Sequence, residues 1–264
     1  MMKGMIKMLD NLKLPNETID KIYDDGFHQS VAETGKIVGR IPRFINAAFA
    51  SLDCWIAKRE YNVEKTKQLL EENLKNADPE KIVSPEPYVA VPAIQAISYA
   101  MDSDELRTLY ANLLAKSIYK DTKDSVHPAF TEIIKNLSPL DCKVFNSIMT
   151  TDQQAIGCYE LRAGKIGSAS YSVAFPYVTA ITIENPVIIS ASIDNLSRNN
   201  LVTPCDFHYD DDSLYAEIKE TTFYKEIYEA FSLHPNNREL RSYKMSIQST
   251  EWGKAFYKVC AVPL

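Results

Sequence analysis

Residues 137–150 read LSPLDCKVFNSIMT, and this stretch divides the chain. Ser138 is a residue type that caps helix N-termini, and Pro139 suits the first helical position. Asp141 falls where the positive end of the helix dipole favours a carboxylate. The spacing predicts a helix to about Thr150, with Leu140, Val144, Ile148 and Met149 on its buried side. The sequence before this stretch reads as helices, and the pattern changes after it. Two domains are expected, a helical one over residues 1–136 and a second over 137–264.

In the first half, residues 31–57 are densely apolar but divided by Pro42, after which Phe44, Ala48, Leu52 and Trp55 recur at helical spacing. Asn46 and Asp53 interrupt a run already shorter than the roughly 20 residues that span a bilayer. A buried core helix is therefore favoured over an interfacial or spanning one. Asn62 can cap the next helix, with Val63, Leu70, Leu74 and Ala77 as its stripe and Lys67, Glu71 and Lys75 on its solvated face. Pro79, Pro85 and Pro87 mark a loop that enters another helix near Pro92. Asp102 with Glu105 makes a capping-box-like start. Leu106, Leu109, Tyr110, Leu113, Leu114 and Ser117 form one face of the long helix that follows, and Arg107, Ala111, Asn112 and Ala115 the other. After a polar loop at 120–126, His127-Pro128 opens a short helix with Phe130, Ile133, Ile134 and Leu137 inward.

In the second half Gly157, Gly164 and Gly167 punctuate short segments, and residues 170–183 are rich in β-branched and aromatic side chains. Ser190 starts a short helix through Ile193, Leu196 and Asn199. Residues 201–209 read as a strand, Asp210-Asp211-Asp212-Ser213 as a turn, and 214–218 as the partner strand. A helix over 221–231, a strand over 243–248 and a last helix capped by Thr250 and carrying Trp252, Ala255, Phe256 and Val259 complete the pattern. The expected fold is mainly α with a small α+β part. Its C-terminal domain is winged-helix-like, with the 201–218 hairpin as the wing.

The 264 residues include 29 Lys or Arg and 35 Asp or Glu, a net charge of −6, and 45 % are apolar. These proportions exclude a disordered or collagen-like chain. Residues 1–136 hold 18 basic and 20 acidic side chains and the remainder 11 and 15, so neither half has the cationic excess of a general nucleic-acid binder. Cys54, Cys142, Cys158, Cys205 and Cys260 are odd in number and lie far apart, which suits reduced thiols better than a zinc site. The apolar N-terminal stretch is too short for a signal peptide, and a cytoplasmic location is expected.

No phosphate loop, dinucleotide fingerprint or nucleophile elbow occurs, and His28, His127, His208 and His234 are scattered. No cofactor and no metal are expected. His127 could serve as a general base oriented by Asp141 or Glu132, but its place before Pro128 favours capping of exposed amides. Arg107 and Asn112 fit either an anion site or a buried inter-helix network, and the network is favoured. The Asp210-Asp211-Asp212 run reads as a solvated turn in preference to a cation site. A winged helix suggests DNA binding. Here Arg198 is the basic residue offered by the recognition-type helix, beside Asp194 and a wing tip of three aspartates, so charge disfavours nucleic acid and protein contact is preferred.

Four ordered blocks carry a resemblance: Asp104-Glu105-Leu106-Arg107, Tyr110-Ala111-Asn112-Leu113-Leu114-Ala115, Val126-His127-Pro128-Ala129-Phe130 and Leu137-Ser138-Pro139-Leu140-Asp141. Together with Ser192-Ile193-Asp194-Asn195-Leu196 and Trp252-Gly253-Lys254-Ala255-Phe256, they resemble the abortive infection alpha (Abi-alpha) family from about Ser84 onward. The resemblance implies a phage-defence protein, in which an infected cell stops growing or dies before phage are released. It brings no catalytic residues. Glu105, Arg107, Asn112, His127 and Asp141 are the matched positions that serve as candidate interaction or structural residues. The expectation is a non-enzymatic protein acting through macromolecular contacts, with a protein partner, phage-derived ones included. Self-association stays open, and a DNA-binding regulator is the alternative. One departure stands out: Asn199-Asn200 replaces an apolar Leu-Gly pair and makes the end of that helix more polar.

Overall fold

The computed structural model describes residues 60–97, 103–150, 155–167, 169–233 and 238–264. The apolar stretch 31–57 with its expected helix after Pro42, the Asp102 cap, His28, His234 and Cys54 lie outside them. The described residues form a mixed α+β protein of nine α-helices and one four-stranded antiparallel sheet. Two compact units divide it, one running to Lys135 and including Val262–Leu264, the other Asn136–Ala261. No described helix is long and apolar enough to cross a membrane.

The first unit holds α1 (Glu60–Leu74), α2 (Pro87–Ile97), α3 (Asp104–Ser117) and most of α4 (Ala129–Asn136). Asn62 lies inside α1 and does not cap it, because Glu60 and Tyr61 are already helical. Helix α2 begins at Pro87, five residues before the expected start, and Pro92 sits in its interior. The carbonyl that Pro92 leaves without its helical donor belongs to Tyr88, an exposed residue. The observed cap of α3 is Ser103, whose Oγ accepts from the Leu106 amide (3.2 Å). Both α1 and α2 pack against α3. Helix α3 is consequently buried nearly all round, from Arg107 through Ser117 with Thr108 the exception. Lys116 donates to the Val262 carbonyl (2.8 Å), which holds the 262–264 segment in this unit.

The second unit opens with α5 (Pro139–Met149), followed by β1 (Ala155–Lys165), β2 (Tyr171–Val178), α6 (Pro186–Arg198) and β3 (Val202–Cys205). Helices α7 (Ser213–Glu220) and α8 (Thr222–Leu233), strand β4 (Arg238–Ser249) and helix α9 (Glu251–Phe256) complete it. The sheet order is β2-β1-β4-β3. Four expectations are corrected. Residues 214–218 are helical, because Tyr215 and Ile218, three apart, both bury against the sheet. The partner of β3 is therefore β4, which pairs Val202 with Ser249 and Cys205 with Ser246. Helix α6 starts at Pro186, capped by Asn185 through the Val187 amide (2.9 Å), four residues before Ser190. Gly157 and Gly164 lie within one continuous strand and do not separate segments.

Tyr159, Leu161, Val178, Tyr215, Ile218 and Tyr224 form a core between the sheet and helices α7 and α8. Tyr159 meets Tyr215 and Tyr224 with ring centres 5.6 Å apart in each case. Cys158 and Ile247, out of phase with Tyr159 on the pleated sheet, are also fully buried, so the inner half of the sheet is covered on both faces. The outer ends of β1, β2 and β4 extend past that cover, where Arg162, Val173 and Tyr243 are partly or fully exposed.

Candidate functional site

Asp141 is the best-connected candidate. It is 4 % exposed and closes a capping box. Ser138 Oγ accepts from the Asp141 amide (3.1 Å), and Asp141 Oδ2 accepts from the Ser138 amide (2.6 Å). The same carboxylate receives two donors from α6, the Ser192 hydroxyl on Oδ1 (2.5 Å) and Asn195 Nδ2 on Oδ2 (2.9 Å). Asn195 Nδ2 also donates to the Asn136 carbonyl (2.8 Å). One buried acidic group thus fixes the start of α5 and docks α6 on it. Burying a carboxylate is costly unless several donors surround it, and here three do.

Arg198 reaches this network indirectly. Its Nη2 donates to Asn195 Oδ1 (2.5 Å), which occupies one edge of the guanidinium within its own helix. The turn after Arg198 explains the Asn199-Asn200 departure. Asn200 adopts a left-handed φ of 57°. The Leu201 amide bonds the Leu196 carbonyl (3.0 Å) and the Asn200 amide the Ser197 carbonyl (2.9 Å). That is a Schellman ending, with asparagine taking the place usual for glycine.

Thr250 Oγ1 donates to the Asn200 carbonyl (2.5 Å) and accepts from the Gly253 amide (2.8 Å), which seats α9 on this turn. A Cβ at Gly253 would fall 2.0 Å from the Leu201 oxygen, so the approach requires glycine. Phe256 then packs on Phe145 of α5, with ring centres 6.0 Å apart. The blocks 137–141, 192–196 and 252–256 thereby converge on one structural joint.

The other candidates belong to the first unit. Asn112 is 1 % exposed, and its Oδ1 accepts from Asn73 Nδ2 of α1 (2.6 Å). Arg107 is 4 % exposed and pairs with Asp104 one turn earlier. Glu105 Oε2 accepts from the capping Ser103 hydroxyl (2.9 Å). His127 is exposed; its Nδ1 accepts from the Ala129 amide (3.1 Å), and its ring leans on Phe130. Glu132, the second residue considered for orienting His127, pairs with Lys135 (2.6 Å).

The family model of abortive infection alpha matches residues 58–260. The chain belongs to the abortive infection alpha family. The matched span includes every block quoted above, and it associates the protein with abortive infection, a phage-defence response. Neither the curated proteins nor the solved structures yield a match.

Within this Abi-alpha chain the aspartate run at 210–212 is part of a helix start. Asp211 Oδ1 accepts from the Ser213 amide (2.9 Å), and the Ser213 side chain first, then this amide, hold its carboxyl below the usual range. Asp212 pairs with Lys244, which lowers its carboxyl in the same way. Among the described residues no group of three His, Cys, Asp or Glu side chains is placed to hold a metal ion. Burial pushes the Cys158 thiol up to about 12, so it is a protonated core group. Ser192, Asn195 and Asn73 complete the networks and were not singled out from the sequence. The i, i+3 spacing of Ser192 and Asn195, on the side of α6 that carries buried Ile189 and Leu196, is the signal that could have pointed to them.

Proposed function

We propose that this Abi-alpha protein restricts phage without catalysis, through contacts with other macromolecules. One observation carries the reading: the polar groups of the blocks that resemble the family are spent on architecture. Asp141 joins two helices, Asn112 joins two others, and His127 caps a fifth. A catalytic carboxylate or imidazole must instead reach a substrate proton or a reacting atom. We also read the second unit as winged-helix-like. Helix α6 leads into β3, and β3, β4 and β1 lie side by side as a winged helix arranges its small sheet. In this form the strands of the wing are β3 and β4, with α7 and α8 inserted between them.

The test is expression in a sensitive host with culture growth and phage output followed together through infection. Infected cells should stop growing or die while the burst falls. Unchanged burst size and unchanged survival across several phage types would remove the reading. An Asp141→Asn variant that keeps its fold should keep its protection, since the carboxylate is assigned no chemistry.

A further inference from the structure

Helix α7 can lie against the start of β1 because residue 157 has no side chain. A Cβ at Gly157 would come within 2.8 Å of the Leu214 carbonyl oxygen and 3.0 Å of the Tyr215 ring. The core takes Tyr215 and Ile218 from α7, which leaves Leu214 half-buried and Glu217 exposed. These two stand one turn apart and form a wall of a cavity of about 520 Å³ within the second unit. Ile156 of β1, Ser147 of α5 and residues 180–183, which follow β2, supply other parts of the lining. Thr179 Oγ1 accepts from the Ile181 amide (3.2 Å), which fixes the turn that leads into it. Ser147 spends its hydroxyl on the Lys143 carbonyl (3.0 Å).

The lining is largely aliphatic, and apolar surface continues along the chain beyond it. Ile183 is 46 %, Val187 53 % and Ile188 50 % exposed, so three of the ten exposed large apolar side chains among the described residues fall between 183 and 188. Apolar surface gathered in one place marks a contact site, whereas single exposed residues do not. The charge around the cavity has one sign. Glu217 is the one charged residue of the lining, and among the described residues it enters no hydrogen bond or ion pair. Glu184 beside Ile183 and Asp211 near Ser213 are exposed and likewise enter no ion pair there. Lys143 on α5 and Lys219 on α7 stand outside the lining, and Lys219 lies over the Tyr159 ring, 5.7 Å from its centre. An occupant must bring aliphatic groups together with positive charge. Anionic lipid and nucleic acid bring the opposite charge. A small ligand would fill the cavity but leave Val187 and Ile188 in water.

We propose that this cavity docks a basic, amphipathic peptide segment of a partner protein, with an aliphatic side chain among Ile156, Ile181 and Leu214 and a Lys or Arg against Glu217. The site rests on the reading of this protein as one that works by macromolecular contact, and it names the chemistry of the partner.

The probe is a fluorescein-labelled leucine–lysine peptide of about 14 residues, its leucines at helical spacing, titrated with the full chain by anisotropy. A leucine–glutamate peptide of the same pattern should not bind. The methyl resonances of Ile156, Ile181 and Ile183 should shift as the basic peptide is added, while those of Ile94 and Ile97 in α2 stay in place. Glu217→Lys should weaken binding about fivefold or more. Glu226→Lys, the same change of charge on α8 outside the lining, should bind as wild type. Ile183→Ser should lose about fivefold, because docking covers its exposed half. Both lining variants alter exposed side chains and should melt close to wild type, which separates lost binding from lost folding. Absent binding at low salt overturns the site. So does equal binding of the acidic peptide, wild-type affinity in both lining variants, or a set of shifts that spares all three isoleucines. Binding of the protein to anionic phospholipid vesicles that the Glu217 and Ile183 variants abolish would make this a membrane surface and overturn it too. Phage counts separate the two readings. Protein that restricts phage but binds no peptide refutes the site alone, and protein that binds peptide but leaves phage output unchanged refutes the defence reading alone.

Discussion

Asp141→Ala takes one acceptor away from three donors, the Ser138 amide, the Ser192 hydroxyl and the Asn195 amide. Losing the capping contribution costs about 1 kcal/mol. A hydrogen bond to an ionised group contributes about 1.5–3 kcal/mol. Ser192 is 4 % exposed, so water cannot replace its acceptor and nearly the full amount is lost there. Asn195 is half-buried and keeps the Asn136 carbonyl, so its loss is small. The expected destabilisation of the second unit is about 3–4 kcal/mol, a factor of several hundred in its unfolding equilibrium. Urea unfolding in a Trp55→Phe background, followed by Trp252 fluorescence and far-ultraviolet dichroism, reads that unit directly. Asp141→Asn keeps one oxygen and can turn its amide towards Ser192, whose hydroxyl then accepts, so it should lose less than half as much. A loss below about 1 kcal/mol for the alanine variant, or an asparagine variant as damaged as the alanine one, would show that the carboxylate does not hold this joint.

His127→Ala should cost the first unit about 0.5–1 kcal/mol through its cap, while His127→Asn keeps both stability and phage restriction. A stable asparagine variant without restriction would give the imidazole a chemical role. Gly253→Ala should lose about 2–3 kcal/mol, because its Cβ meets the Leu201 carbonyl and α9 must shift away; a wild-type melting temperature would contradict the close approach. Alkali provides a further test. The unfolded Cys158 thiol ionises near 9.0, but the buried one only at about 12. Between those values the unfolded chain binds fewer protons, so stability falls with rising pH, by up to about 1.4 kcal/mol per pH unit. Burial raises Tyr228 to about 12 and acts in the same direction above 10.0. Cys158→Ala should flatten the slope between pH 9 and 10, and an unchanged slope there would place its source elsewhere.

Local signals told the truth where the physics was local. Ser138 caps α5 and Pro139 takes its first turn as expected, with Asp141 completing a capping box there; Thr250 caps the last helix, and His127 caps α4. The segment Leu214–Ile218 shows where such reasoning runs out. Leu214, Ala216 and Ile218 alternate as a strand would, while Tyr215 and Ile218 repeat as a helix would, and five residues cannot decide between the periods. Packing on Tyr159 and the sheet decides in favour of the helix. The true partner of β3 lies more than 30 residues further along the chain, beyond the reach of any hairpin signal. The candidate site was legible in part. Asp141 was visible as a carboxylate at the positive end of a helix, but its docking role depends on Ser192 and Asn195, which only the fold brings to it. The cavity beside α7 was illegible for the same reason, since its lining comes from α5, β1, residues 180–183 and α7, which meet only in the folded chain.

The central strand β1 acquires β2 as a neighbour almost as soon as both leave the ribosome, but β4 follows only after another 59 residues, 179–237, have been translated. During that interval the nascent hairpin carries Tyr159 and Leu161 bare on one side and an open row of amides and carbonyls along one edge. Cells that make this protein must shield or hurry that intermediate. Codon usage, chaperone supply and growth temperature therefore become levers on how much finished protein stands ready when a phage arrives.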